Sequence, residues 1–351
     1  MKKTSAKKKD PNPSGVWATG RLLARAFSEQ EQCMRAVYAL ADEIVRSPLG
    51  GAPEYEVRLG SIPPAFLALR KNIFSTLFYS AYLVFGVTRP RRLLYGKLNH
   101  LFRIWVTSAD NLLDGEDKCV LPLVMPGHAR VMREVVTIMA ADRVLWRLLN
   151  EAVAKKTLTM KQADELAELS LRCLLPSAAQ EASEEGGIRN RPGPEYVLNT
   201  IHVHKTVLLF NLPFLGIDVV ESGLDAERVL CLKRAFLMFG GGCQILDDVR
   251  DVGRDFVERR QNYVLSMLAR TRPEVLTAWA GRHEKTVDRL YREVLPESEA
   301  AARLGFQKLT EACGMLQREG VLVRGAPAGK WAISMFTALD LEDLTHVCCL
   351  A

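Results

Sequence analysis

Long segments in which apolar residues recur every third or fourth position, with no strand-like alternation between them, constrain this chain more than any other feature. That spacing lays one apolar stripe along an α-helix. It predicts helices over roughly 20–47, 62–86, 90–114, 127–155, 159–182, 194–221, 225–256, 260–270, 273–293, 297–318 and 328–345, punctuated by Gly86, Gly186-Gly187 and Pro192-Gly193-Pro194. No internal repeat and no Pro- or Gly-rich linker divides them. The expectation is therefore a disordered basic tail at 1–15 and a single all-α domain at 16–351. With 351 residues, 48% of them hydrophobic and 25% charged, such a chain can bury a large core. Helical bundles build their sites from side chains that face the interior.

The net charge of +6 is local. Residues 1–10 hold five of the 47 basic residues and one of the 41 acidic ones, leaving 42 against 40 for the rest. That balance excludes a nucleic-acid footprint. No run of about 18 consecutive apolar residues occurs, so no integral membrane segment is expected. Eight cysteines without a CxxC spacing read as reduced core residues of a cytoplasmic protein.

Two acidic patches end apolar stripes. Along one helix, four-residue steps run Phe102, Val106, Asp110, Asp114, with Trp105 and Ala109 beside them. Both carboxylates thus lie on the core-facing side of a helix C-terminus, which already carries partial negative charge. Glu116 and Asp117 follow at once. A calcium loop beginning at Asp110 fails, because its third and twelfth positions are Leu112 and Leu121. In a second helix Leu232, Phe236, Phe239 and Cys243 lead to Asp247, Asp251 and Asp255, with Asp248 alongside. Two carboxylates about 6 Å apart repel by roughly 3 kcal/mol at an effective dielectric near 20. A cation offsets that cost, and oxygen donors without paired His or Cys suit magnesium. Pairing with Arg250, Arg254, Arg259 and Arg260 is the bland alternative.

Gly240-Gly241-Gly242 falls inside this second helix, either as a bend beside a ligand or as a packing notch. Lys205 shares a stripe with Ile201, Leu208, Leu209 and Leu212, so it needs an anion from a carboxylate or a ligand phosphate. His202 and His204 lie on different faces and read as core or capping residues.

In order, these features resemble the trans-prenyltransferase branch of the class I isoprenoid synthases over roughly residues 65–275. Asp110-Asn111-Leu112-Leu113-Asp114 is similar to the first aspartate-rich motif. Lys205-Thr206 is similar to the Lys-Thr motif, and Gln244-Ile245-Leu246-Asp247-Asp248-Val249-Arg250-Asp251 to the second aspartate-rich motif. The resemblance implies an isoprenoid synthase helical bundle with a central active-site cavity. It also implies a prenyl diphosphate substrate and three Mg2+ ions held by Asp110, Asp114, Asp247, Asp248 and Asp251. Lys205, Thr206, Gln244, Arg259 and Arg260 would then contact the diphosphate, with Trp105 and Phe102 along the prenyl tail. A homodimer is left open.

Departures from the chain-elongating pattern shape the functional expectation. Cys119 and Val120 stand where elongating enzymes have two arginines, and an upstream basic element is reduced to Lys71, Asn72, Ile73 and Phe74. Losing those groups would weaken binding of isopentenyl diphosphate. The leading expectation is accordingly a class I terpene synthase, a lyase that gives a cyclic or linear terpene plus diphosphate. The alternatives are a trans-prenyltransferase, elongating or with another acceptor, and a non-catalytic partner subunit, because Asn111 replaces one aspartate of the first motif.

Overall fold

A computed structural model describes residues 13–46, 56–127, 129–283, 289–323 and 325–350. Its helices are α1 (Pro13–Val45), α2 (Pro64–Leu67), α3 (Leu69–Val84), α4 (Arg89–Leu113), α5 (Arg130–Ala154), α6 (Met160–Arg172), α7 (Leu175–Glu184) and α8 (Pro194–Tyr196). They continue with α9 (His202–Lys205), α10 (Leu215–Val220), α11 (Ala226–Arg250), α12 (Val252–Val257), α13 (Tyr263–Thr271), α14 (Pro273–Ala278), α15 (Leu295–Arg318) and α16 (Ala328–Ala338). Residues 1–12 of the expected tail lie outside the described residues, and Pro13 already opens α1. Strand is not wholly absent. Arg58–Leu59 pairs antiparallel with Leu123–Val124, tying down the loop that follows α4.

Several predicted helices are broken where local chemistry demands it. The 159–182 segment divides at Cys173–Leu174 just before Pro176. The 194–221 segment contains a π turn over Val197–Ile201 and a 3-10 stretch over Val207–Phe214 that carries Pro213, which has no N–H to donate. Lys205 and Thr206 sit at the break between α9 and that stretch. By length and apolar character alone, 194–220 and 226–250 could cross a bilayer. Here 194–220 is broken into short turns, and α11 is an interior helix that buries Leu232, Ala235, Phe236, Phe239, Leu246 and Val249.

The glycine triplet does not bend α11, which runs unbroken from Ala226 to Arg250. A β-carbon on Gly240 would stand 2.5 Å from the Phe210 ring, and one on Gly242 would stand 2.7 Å from Leu309. One on Gly305 of α15 would stand 3.0 Å from Leu246. Gly242 is therefore a packing notch that lets α11 and α15 approach, while Gly240 makes room for the Phe210 ring. Gly242→Val is expected to cost about 1–3 kcal/mol through overpacking, read as a lower denaturation midpoint with an unchanged slope. Seven cysteines among the described residues are free thiols. Cys33, Cys243, Cys313 and Cys348 are in the core as expected, whereas Cys119 is exposed.

Candidate active site

The C-terminal ends of α4 and α11 carry the two acidic patches, and basic side chains bridge them. Arg260 reaches Asp114 at 3.2 Å. Arg254 reaches Glu116 at 2.5 Å and Asp251 at 3.0 Å. Arg250 grips Asp251 with two bonds of 2.7 Å and Asp247 at 2.5 Å. Asp110, by contrast, has no hydrogen bond or ion pair among the described residues. Burial first, then Glu181 and Asp114, push its carboxyl up to about 7. Asp247 is pushed up to about 6 by its low-dielectric surroundings and then by Asp251 and Asp248, against Arg250 and Arg254. At Asp251 burial is outweighed by Arg250 and Arg254, and the carboxyl lies below the usual range.

Asp248 does not join this set. Its side chain is spent inside the protein, on His202 at 2.8 Å, Gln244 at 2.9 Å and the Tyr263 amide at 2.6 Å. Only 3% of Asp248 is exposed. The neighbouring carboxylate faces inward because a step of one residue turns the side chain by about 100°. Gln244 also accepts a bond from the Thr206 hydroxyl. Thr206, Gln244 and Asp248 thus form an internal relay that fixes the helix break against α11. Lys205 finds its anions within the chain, Glu181 at 3.3 Å and Glu184 at 3.7 Å. Burial alone would lower its pKa, but Glu184 and Glu181 hold it above the usual lysine value. Arg259, expected on the diphosphate, instead lies against the carbonyls of Gly187 and Ile188.

A cavity of about 800 Å³ opens from Asp110 between α4, α5, α6 and α7. Its walls are mainly apolar, and Asp110 and Glu181 stand on its border. Trp105 lines it, with its indole N–H donated to the Ile138 carbonyl at 3.3 Å. Phe102 does not line it. It is buried behind Trp105, ring centroids 5.9 Å apart. If the cavity holds an apolar chain, Trp105→Ala should admit longer chains and shift the product distribution, which chromatography of products would read.

Two residues escaped the sequence reading and a third has a task the sequence did not show. Glu181 pairs with both Lys205 and Arg260 and raises Asp110; the available signal was an acid on a helix whose Ala178 and Ala182 face the cavity. Arg103 lies seven residues before Asp110, hence on the same face of α4 about 10 Å away along the axis. Its guanidinium is largely desolvated, which lowers its pKa. Among the described residues it makes no ion pair and donates only to Asn72, at 2.6 Å. Asn111 was read as a lost aspartate, but it is buried and holds the Lys118 backbone from both sides, at 2.9 and 3.0 Å. An aspartate there could accept from the Lys118 N–H but could not donate to its carbonyl.

Among the described residues no three His, Cys or acidic side chains converge into a ready metal cage. The donor set nevertheless fits magnesium: it is all hard oxygen, and Asp110 has no other partner. Asp110 and Asp114 on one side, and Asp247 and Asp251 on the other, are the residues that would hold it. In the metal-free protein the raised Asp110 and Asp247 carboxyls favour the protonated form. Their contribution to stability is present below the unfolded value near 4 and is lost as pH rises through about 6 and 7. Melting in chelator should therefore fall between pH 5 and 8, and magnesium should restore it.

No family model matches this sequence, and no curated protein matches it. Solved structures do. The fold is that of the isoprenoid synthases, an all-helical bundle with its cavity beside facing aspartate-bearing helix ends. Geranylgeranyl pyrophosphate synthase from Lactobacillus brevis ATCC 367 is 17% identical with a TM-score of 0.55, over 87% of this chain and 95% of that one. Polyprenyl synthetase from Streptomyces coelicolor A3(2) is 17% identical with a TM-score of 0.54, over 93% and 99%. A decaprenyl diphosphate synthase from Rhodobacter capsulatus is 16% identical with a TM-score of 0.57, over 93% and 98%.

Proposed function

We propose that this chain is a magnesium-dependent enzyme that ionises an allylic prenyl diphosphate and transfers the prenyl group to a second substrate. The observation that carries this reading is what flanks Asp110 on α4: a large apolar cavity beside it and, about 10 Å back along the same face, the Arg103 guanidinium, which makes no ion pair among the described residues. The cavity suits a prenyl tail, and the cation suits a second, anionic substrate. The chain-building names of the similar structures support the same choice.

Magnesium, as three ions in this reading, supplies Lewis-acid stabilisation of the departing diphosphate. The chain's own residues do the rest. Lys205 and Arg260 add positive charge where the leaving oxygens gather charge. Trp105 and the apolar wall exclude water from the allylic cation, and Glu181 holds Lys205 and Arg260 in place. The free thiols among the described residues are consistent with a cytoplasmic protein. A homodimer is supported by Met139, Trp146, Met160 and Leu171, each more than half exposed where α5 and α6 border the cavity.

The expected terpene synthase becomes the second reading. It is favoured by Phe74, Cys119 and Val120, which bring no positive charge: Phe74 packs on Phe210 and Phe239, and Val120 is buried. The third reading is a non-catalytic partner subunit; Asn111, on which it rests, holds the Lys118 backbone. Incubation with C10, C15, C20 and C25 allylic diphosphates plus magnesium, with and without labelled isopentenyl diphosphate, tests all three. A longer, labelled prenyl diphosphate supports transfer. Unlabelled hydrocarbon or alcohol formed at the same rate without isopentenyl diphosphate makes the chain a terpene synthase. No diphosphate release with any substrate refutes both enzyme readings.

A further inference from the structure

The second acidic patch is closed by the chain's own cation. Arg250 lies between Asp247 and Asp251 in sequence, and its guanidinium spans both: Nη2 to Asp247 at 2.5 Å, Nη2 to Asp251 at 2.7 Å and Nε to Asp251 at 2.7 Å. These are the two carboxylates on this side that the reading above assigns to magnesium, so Arg250 and the metal compete for them. Charge-assisted, forked pairs of this kind are among the stronger hydrogen bonds in proteins. Arg254 extends the arrangement to Asp251 and to Glu116 beyond α4.

A second observation points to what relieves the competition. Between the two patches Nε of Arg254 is buried without a hydrogen-bond acceptor, and Nη1 of Arg260, a residue only 9% exposed, has none beyond a 3.6 Å ion-pair contact with Glu181. Buried donors without an acceptor are costly. The missing partner is an acceptor with several oxygens and negative charge, which describes a diphosphate. When such a group arrives, Arg250 can give up its carboxylates for the diphosphate oxygens, and the metal can take the positions it leaves.

We propose that Arg250 is a positioning residue that couples the two ligands, suppressing magnesium binding until a diphosphate is present. The inference rests on the functional reading above and goes beyond it in assigning the order and mutual dependence of binding. By linkage, whatever factor the diphosphate adds to magnesium affinity, magnesium adds to diphosphate affinity.

Calorimetry on the full chain tests this with magnesium alone, inorganic diphosphate alone and the two together, in wild type, Arg250→Gln and Arg250→Lys. Wild type is expected to bind magnesium alone weakly and at least tenfold more tightly with diphosphate present. Arg250→Gln is expected to bind magnesium alone about tenfold more tightly, to bind diphosphate more weakly, and to lose most of the mutual enhancement. Arg250→Lys, which keeps the charge but not the fork, should fall between them, and it carries the test if the glutamine variant does not fold. A merely structural arginine would weaken both ligands together. Unchanged or weaker magnesium binding in folded variants, with wild type binding both ligands, overturns this inference alone. Absence of magnesium binding to every protein, even with diphosphate, overturns the functional reading along with it.

Discussion

Asp247→Asn and Asp110→Asn should each slow diphosphate release from an allylic substrate by about three orders of magnitude or more, and chelator should do the same to wild type. A bound metal contributes several kcal/mol of charge stabilisation to such a step, and about 4 kcal/mol corresponds to a factor near a thousand. The Asp110 variant should not be less stable. Asp110 has no partner to lose, and its carboxyl is already disfavoured by burial and by Glu181 and Asp114. Steady-state release measured beside thermal melting separates the two effects. A fall in activity that only follows a fall in melting temperature would move these carboxylates from chemistry to structure.

Arg103→Met is expected to separate the two substrates. A charge-assisted contact contributes about 1.5–3 kcal/mol, so loss of this cation should raise the KM for an anionic acceptor by roughly one to two orders of magnitude. Ionisation of the allylic substrate alone should be nearly unchanged. The fold should tolerate the change, because replacing a largely desolvated cation that has no ion pair by an apolar chain of similar length removes a desolvation cost. An identical KM in the variant would leave the acceptor site elsewhere, with Lys71, Lys97 and Lys118 next. Lys71 lies over the Phe66 ring and Lys118 pairs with Glu116, so both already have partners.

The parts legible in the sequence were those that a helical period encodes. The stripe ending at Asp110 and Asp114 predicted 90–114 against an observed Arg89–Leu113, and the positions of Asp247 and Asp251 at the end of α11 followed in the same way. Periodicity was silent about neighbours from distant segments. Glu181 is 71 positions from Asp110, and nothing in either local pattern joins them. Adjacent acids posed a different difficulty. Asp247 and Asp248 look alike in a motif, yet one borders the site and the other is buried under His202, Gln244 and Tyr263. The residue that decides between them, Tyr263, offers its backbone amide, which no side-chain pattern reveals. Helix breaks at Cys173 and Thr206 were missed because long apolar stretches mask a change of turn type.

The glycine notch has a consequence for how this site can vary. Gly242 lies five residues before Asp247, about 7.5 Å along an unbroken helix. The rod is seated on α15 by contacts that leave no room for a β-carbon, so the helix acts as a gauge whose zero is set at the notch and read at the carboxylates. Any side chain introduced at 242 would lift the rod and displace Asp247 and Asp251 together relative to Asp110. Their spacing to one another would stay the same while the gap to the facing helix widened. Substitutions deep in the core can thus retune the distance across the site without touching a residue that faces it.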